Sequence, residues 1–315
     1  MIVTLTANPS LDRAVALAAP LAVGEVQSVV AAREDAGGKG LNVSRVIAAA
    51  GGSTLAVLPL DPADPFATAV HQTGLPVRAV PVRGAARTNL TVTDPAGTTT
   101  KLNALGTART EADATALREA TVAACADADW LVLAGSLPPG LPDDFYVTVI
   151  RAVRERWGTR APSIAVDTSG AALQAVVADG RPDLIKPNDE ELAALTGTPL
   201  DVTVDGVDRV REVAATLVPH RVGAAFVTLG SAGALLITAD GAWHGTPPPI
   251  RVRSTVGAGD SSLAGFLLAR TAGAAPADAV RGGIRYGAAA ASLPGTQPPA
   301  PADLPTGDVP VVTLT

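Results

Sequence analysis

Short apolar runs alternate along the chain with longer stretches in which apolar positions recur at helical spacing. The short runs predict strands at Ile2–Thr6, Leu55–Leu58, Trp130–Leu133, Ser163–Val166, Leu184–Ile185, Ala224–Thr228 and Ala234–Thr238. The helical spacing predicts helices at Leu41–Ala50, Glu111–Ala126, Asp143–Trp157, Asp189–Leu195, Val207–Leu217, Gly259–Thr271 and Ala277–Leu293. Thr110 and Asp113 form a capping-box pattern ahead of the second of these, although Glu or Gln is the usual partner. The strands are continuously apolar rather than alternating, so they are buried on both faces. The pattern therefore predicts an α/β protein, a mostly parallel central sheet with helices on both sides.

Two segments break that rhythm. Thr88–Asp94 and Thr98–Asn103 are β-prone and flank Pro95-Ala96-Gly97, which is a hairpin pattern. Val15–Ala32 also reads as extended, with breaks at Pro20 and Gly24. Together they predict a small β-sheet lid built from two excursions, residues 13–34 and 79–105, out of a core formed by residues 1–12, 35–78 and 106–315; the alternative is plain surface loops. Residues 222–239 carry no charge, but Gly230-Ser231-Ala232-Gly233 interrupts them, which suits strand–turn–strand better than a membrane span.

Polar residues gather where the expected strands end. Asn8-Pro9-Ser10-Leu11-Asp12 follows the first strand, Gly135-Ser136 the third, Asp167-Thr168-Ser169-Gly170 the fourth, Lys186-Pro187-Asn188 the fifth and Thr228-Leu229-Gly230 the sixth. Ligands of open parallel sheets bind beyond the carboxyl ends of the strands. Five strands that deliver polar groups to one rim make that rim the expected active site, although each turn alone also fits mere punctuation.

Composition narrows the field. The 315 residues are 47% hydrophobic with a net charge of −6, which suits a globular chain and argues against a nucleic-acid footprint. Cys125 is the single cysteine, so no disulfide framework or thiolate metal site forms within one chain. His71, His220 and His244 show no metal-ligand spacing. The opening Met1-Ile2-Val3-Thr4 lacks the basic segment of a signal peptide, so a cytoplasmic location is expected, with neither membrane nor nucleic acid as partner.

Two glycine motifs carry the chemistry. Ser254-Thr255-Val256-Gly257-Ala258-Gly259-Asp260 precedes an apolar helix. Small residues and a helix start together make an anion pocket suited to phosphate, and Asp260 at its edge is placed to take a proton from an attacking hydroxyl. The bare pattern also fits a helix start with an acidic first turn. The segment is neither a P-loop nor a dinucleotide fingerprint. Gly37-Gly38-Lys39-Gly40-Leu41-Asn42 opens another helix, with glycines for close backbone approach, Asn42 for sugar hydroxyls and Lys39 as a point charge; a plain turn with a surface lysine is the alternative. Only three of the 24 basic residues are lysines, Lys39, Lys101 and Lys186, and they fall in candidate motifs.

In this order and spacing the two motifs resemble the signatures of the ribokinase/phosphofructokinase-B family of sugar kinases. Asn8–Asp12, Gly37–Gly40 with Asn42-Val43-Ser44-Arg45, Ala134–Pro138, Asp167–Gly170, Lys186–Leu192 and Ser254 resemble its 1-phosphofructokinase and tagatose-6-phosphate kinase branch. The resemblance implies a ribokinase-like three-layer sandwich with a β lid, and ATP- and Mg²⁺-dependent phosphoryl transfer to a sugar phosphate. Asp260 would be the general base, and Gly257, Ala258 and Gly259 the anion hole. Asp12, Gly38 and Asn42 would hold sugar hydroxyls. Lys39, Arg87 and Lys101, with Asn103, would face the phosphate already on the sugar. Asn188 and Glu191 would organise Mg²⁺ through water, Lys186 would face the ATP phosphates, and Thr228, Gly230, Gly233 and Thr255 would line the nucleotide site.

The chain departs from the branch pattern in three places. Leu60–Pro65 stands where glycines are usual, Asn103-Ala104-Leu105-Gly106-Thr107 where Asn-Glu-Pro-Gly-Pro is usual, and Ala232 where an acidic residue is usual. The expected acceptor is fructose 1-phosphate; tagatose 6-phosphate, fructose 6-phosphate or an unphosphorylated sugar are the neighbouring readings. A non-catalytic nucleotide or sugar sensor and a nicotinamide oxidoreductase are readings of other classes. An exposed lid edge would invite pairing, so a homodimer through the lid is a further expectation.

Overall fold

The computed structural model describes residues 1–314. The chain forms β1 (Ile2–Thr6), leaves for β2 (Ser10–Leu17) and β3 (Val29–Gly37), and returns through α1 (Lys39–Ala49) to β4 (Thr54–Leu60), α2 (Pro65–Gln72) and β5 (Val77–Pro81). A second excursion makes β6 (Arg87–Thr93) and β7 (Thr99–Asn103). Then come α3 (Glu111–Ala124), β8 (Trp130–Ala134), α4 (Phe145–Trp157), β9 (Ser163–Asp167), α5 (Gly170–Ala175), β10 (Leu184–Ile185), α6 (Asp189–Thr196) and α7 (Val202–Ala215). The chain closes with β11 (Ala224–Thr228), β12 (Ala234–Thr238), β13 (Gly241–Gly245), α8 (Ala258–Thr271), α9 (Pro276–Ser292) and β14 (Val311–Leu314).

Ten strands form one sheet in the order β14-β13-β12-β11-β10-β9-β8-β1-β4-β5. Pairing is parallel from β5 across to β11 and antiparallel from β11 to β14. Side chains of a strand alternate between its faces, and here both faces are apolar. Val3, Leu5, Leu131, Leu133, Ile164 and Val166 pack with residues of α3 to α7, such as Leu117, Phe145, Leu192 and Val210. Ile2, Val132, Ala165, Leu184 and Phe226 pack with α1, α8 and α9 through Val46, Leu263, Phe266 and Ile284. The Phe226 and Phe266 rings stack with centroids 4.7 Å apart, and truncating either to alanine costs about 3–5 kcal/mol. This is the three-layer α/β/α arrangement.

The lid is a separate four-stranded sheet in the order β3-β2-β6-β7. Its Asp94–Thr98 turn is fixed by the Asp94 side chain, which accepts from Thr98 N–H at 2.9 Å. The lid boundaries differ from those expected. Ser10 already pairs with Gly37 and Arg87, while Val77–Pro81 pairs with β4 in the large sheet, so the second excursion enters the lid at Arg87.

The strands missing from the sequence reading, β5, β13 and β14, lie at or beside sheet edges and are only partly buried: Arg78 interrupts β5, glycines and His244 break up β13, and β14 is apolar but only four residues long. The missed α2 is eight residues long, yet Asp64 caps it and Pro65 opens it. α7 contains a break at Gly206 (φ 75°), so the expected start at Val207 marks its second part. The capping box at Thr110 and Asp113 is present. Residues 222–239 form β11, a turn and β12, and among the described residues no helix is long and apolar enough to cross a membrane.

Candidate active site

The parallel strands β1, β8, β9, β10 and β11 end at one rim, and the first excursion leaves from that rim with only three residues between β1 and β2. Two helices start there. α8 is capped by Gly257 in the left-handed region at φ 75°. Ser261 N–H makes the first good helical bond, 2.9 Å to Gly257 O, whereas Ala258 N–H reaches Thr255 O at 3.4 Å. The amides of Gly259 and Asp260 precede the helical ladder and point outward from the helix start. α1 begins after Gly38, whose φ of 117° and whose missing Cβ, which would lie 2.6 Å from Thr6 Cγ2, make glycine the only comfortable residue there.

Asp260 and Asn42 join these two helix starts. Asn42 Nδ2 donates to Asp260 Oδ2 at 2.9 Å. The Asn42 carbonyl oxygen is buried with no partner among the described residues, an acceptor left for something else. Burial, and then the negative charge of Asp167, push the Asp260 carboxyl up to about 6; Lys39, the Asn42 bond and Lys186 oppose them. Asp260 is thus buried and still ionised at neutral pH.

Asp167, at the end of β9, is fully buried between two lysines. Lys39 Nζ lies 2.7 Å from its Oδ1 and Lys186 Nζ 3.3 Å from its Oδ2. The two ammonium groups hold its carboxyl below the ordinary carboxylate value against the opposing effect of burial. Lys186 is 4% exposed, and a Cβ on Gly259 would sit 3.3 Å from its Nζ, so this ammonium lies against the start of α8. Lys39 also comes within 3.9 Å of Glu191 Oε1. Glu191 and Asn188 form a reciprocal capping box on α6: Glu191 N–H donates to Asn188 Oδ1 at 2.6 Å and Asn188 N–H to Glu191 Oε2 at 3.1 Å. Glu191 therefore keeps one oxygen free of the backbone. The sequence reading grouped Lys39 with Arg87 and Lys101. The structure places Lys39 on Asp167, because a buried carboxylate needs countercharge and the start of α1 faces the end of β9.

A second cluster lies where the lid meets the rim. Asp12 accepts from Ser10 Oγ at 2.7 Å and from Asn89 Nδ2 at 2.9 Å, and its carboxyl covers Gly37, where a Cβ would strike it. Burial raises the Asp12 carboxyl, against the two hydrogen bonds and the Arg87 charge. Arg87 is half-buried opposite Ser10, and its Nη1 donates to Ala104 O at 3.3 Å. Lys101 and Asn103 are exposed on β7, Asn103 paired with Asn89.

Of the residues expected on the nucleotide side, Thr228, Gly230 and Gly233 lie at the β11–β12 turn and Thr255 just before α8. Thr228 N–H donates to Pro187 O at 3.0 Å, and Thr228 bridges Asn188 in parallel. In the following turn a Cβ on Gly233 would lie 1.9 Å from Gly245 O, and His244 Nε2 bonds Ala232 O at 2.8 Å. Thr255 is exposed beside Gly257. Among the described residues no three His, Cys, Asp or Glu side chains gather as a metal-ligand set.

Sequence reasoning left out Asp167, Asn89 and Tyr146 as site residues. Tyr146 OH donates within 2.9 Å of Gly135 O, which also accepts from Thr168 Oγ1, and so fixes the turn beyond β8. The signal for Asp167 was present: two of three lysines need a carboxylate, and Asp167 ends an interior strand.

A rim-sited helix start, a buried carboxylate and an ammonium pair beneath a β lid define a carbohydrate kinase of the ribokinase-like class. The chain matches the pfkB family carbohydrate kinases over residues 6–303 and belongs to that family; it is an ATP-dependent sugar kinase. It is 36% identical over 284 residues to a 1-phosphofructokinase of Rhodobacter capsulatus, covering 89% of this chain and 87% of that one. It is 34% identical over 299 residues to the ATP-dependent 6-phosphofructokinase isozyme 2 of Escherichia coli (strain K12), covering 94% of each. The crystal structure of phosphofructokinase-2 from Escherichia coli in complex with substrates and products superposes with a TM-score of 0.86 at 33% identity, over 96% of each chain.

Proposed function

We propose that the rim transfers the γ-phosphoryl group of ATP to a free hydroxyl of a sugar phosphate, with D-fructose 1-phosphate as acceptor and fructose 1,6-bisphosphate as product. The observation that carries this reading is the buried Asp260 carboxylate, held by Asn42 beside the open amides of α8 and next to Lys186. Asp260 takes the proton of the acceptor hydroxyl as its oxygen bonds the γ-phosphorus, and the bond to the β-phosphate oxygen breaks to release ADP. The helix-start segment Gly257-Ala258-Gly259 stabilises the migrating group, whose charge is spread over its equatorial oxygens, chiefly through the Gly259 and Asp260 amides that precede the helical ladder, since Ala258 N–H already reaches Thr255 O at 3.4 Å. Lys186 adds positive charge from below.

Asn42, Gly38 and Asp12 hold the sugar hydroxyls; the unpartnered Asn42 oxygen supports this. Arg87 faces the phosphate already on the sugar, with Lys101 and Asn103 on the outer lid strand able to approach it. Lys39, bound to Asp167 and near Glu191, stands on the transferring side instead. Thr228, Gly230, Gly233 and Thr255 line the nucleotide. Mg²⁺ fits the donor set only if phosphates and water supply most of its oxygens, since Glu191 keeps a single oxygen clear of the backbone and that oxygen lies 3.9 Å from Lys39 Nζ; such sparse protein ligation is usual for Mg²⁺. When bound, the ion neutralises charge on the nucleotide. The chain works in the cytoplasm, and the lid, with Val30 and Leu102 exposed on it, pairs two copies; the related Escherichia coli phosphofructokinase-2 is described in a tetrameric inhibited form.

The test is an acceptor panel with ATP and Mg²⁺. Fructose 1-phosphate is expected to give the highest kcat/KM among phosphorylated hexoses, with free sugars and nucleosides far below. A preference for fructose 6-phosphate, the acceptor class implied by the name of the Escherichia coli relative, would move the assignment within the family. A preference for an uncharged sugar would remove it.

A further inference from the structure

The connector that carries the chain from β5 into the lid has an unusual pattern of hydrogen bonds. Val82 N–H still continues the β4–β5 ladder, donating to Leu60 O at 3.2 Å. Over the next four residues, side chains take over. Arg109 Nη1 donates to Arg83 O at 3.1 Å, Gly84 N–H donates to Asp61 Oδ2 at 2.9 Å, Thr107 Oγ1 donates to Ala85 O at 2.7 Å, and Ala86 N–H donates to Asp64 Oδ2. Arg87 is the next residue.

The bonds come from two sides. Asp61 and Asp64 belong to the turn after β4, in the large-sheet body. Each divides its two oxygens: Asp61 Oδ1 accepts from Ala63 N–H at 3.0 Å and Asp64 Oδ1 from Phe66 N–H at 3.1 Å, so each steadies its own turn with one oxygen and the lid connector with the other. Thr107 and Arg109 belong to the segment returning from the lid. Arg109 is 6% exposed, and its own N–H donates to Pro139 O at 2.8 Å, in the turn beyond β8. Asn8 Nδ2 ties the same segment through Leu105 O at 3.0 Å. Both lid stems are thereby fastened to strand ends of the large sheet.

We propose that Asp61 and Asp64 are positioning residues for the acceptor site, a two-carboxylate latch that sets the connector and so places Arg87 beside Asp12. The inference rests on Arg87 facing the acceptor phosphate, as proposed above. It also gives a role to the segment Leu60–Pro65, where this chain departs from the glycines usual in its branch: two acidic side chains reach across to the connector and hold it through its own amides. A carboxylate is required because each aspartate meets two N–H donors. An asparagine keeps the size but presents its NH₂ to one of them, so one bond is exchanged for a donor–donor contact.

The experiment is a thermodynamic cycle on the full-length enzyme. Asp61→Asn/Asp64→Asn, Arg87→Ala and the triple variant are assayed with ATP, Mg²⁺ and fructose 1-phosphate, reading KM for each substrate and kcat separately. The latch variant is expected to raise KM for the sugar phosphate about tenfold, with kcat and KM for ATP within about twofold of wild type. Added to Arg87→Ala, the same pair of changes is expected to raise that KM less than about twofold, because the arginine it places is gone. If Asp64→Asn unfolds the protein through its helix cap, Asp61→Asn alone is read in the same cycle. An unchanged KM in the latch variant, or an equal rise with and without Arg87, overturns the latch while leaving the acceptor site standing. A wild-type KM in Arg87→Ala alone overturns the site reading, and the latch with it.

Discussion

The two halves of the site solve the problem of placing charge in opposite ways. On the large-sheet side Asp167 is fully buried, Lys186 nearly so, and each charge is matched at 3.3 Å or less. On the lid side Arg87 is half-buried, Lys101 is exposed, and neither meets a carboxylate at ion-pair distance among the described residues. Electrostatic stabilisation of a transition state works best when the groups are fixed before the substrate arrives and water is kept away. Recognition of a soluble anion needs cations that can still be reached. On the reading proposed above, phosphoryl transfer falls to the rim, and recognition of the acceptor's phosphate to a sheet that stands apart from the core.

The contrast is broken most severely at Asp260. Asp260→Asn keeps the shape and still offers an oxygen to Asn42, so kcat is expected to fall ~10²–10⁴-fold with ATP binding retained; near-normal turnover would place the base elsewhere. The same variant has an opposite effect on stability. The folded carboxyl titrates at about 6, against an ordinary value of 3.8. The folded state therefore holds its proton more tightly, and stability declines as pH rises from about 4 to about 6. Asp260→Asn escapes that loss, so its Tm at pH 8 is expected to exceed wild type, and the gain should vanish near pH 4.

Asp167→Ala tests the buried half through folding. It leaves Lys39 and Lys186 with no carboxylate within 3.5 Å, and uncompensated buried charge costs about 3–5 kcal/mol. Denaturant titration measures this; a loss under about 1 kcal/mol would mean that the two ammonium groups relax into water and that the rim is less rigid than its geometry suggests. In wild type, kcat/KM should fall about tenfold per pH unit below about 6 as Asp260 protonates, provided the enzyme remains folded there. On the lid side, Arg87→Ala is expected to raise KM for the sugar phosphate about tenfold without touching KM for ATP. Lys101→Ala is expected to change it by about twofold or less. An equal effect for both would show that the lid folds inward around its ligand, and the two halves would then differ less than they do here.

The same contrast governs what could be read from sequence. Interior strands are legible because burial on two faces forces an unbroken apolar run, as in Leu131–Ala134. β5 is an edge strand with Arg78 and Ala79 exposed, and a single buried face leaves too little pattern. The glycine loops were legible because Gly38 and Gly257 hold φ values of 117° and 75°, which other residues rarely adopt. The Lys39–Asp167 pair was not, because its partners are separated by 128 residues, and only the parallel order of β1, β8 and β9 brings the start of α1 over the end of β9. Asn89 and Asp12 meet through lid register, which no local pattern encodes. The Asp64-Pro65 helix start was written plainly in the sequence but sat in a segment too short to carry a helical stripe.

The parallel bridge between Asn188 and Thr228 has a mechanical consequence. It joins the turn that precedes Glu191 to the strand end that leads into Gly230 and Gly233, so that a shift of either is resisted by its bond to the other. On the reading proposed above the nucleotide rests against both turns, and its two ends then share one connected stretch of backbone.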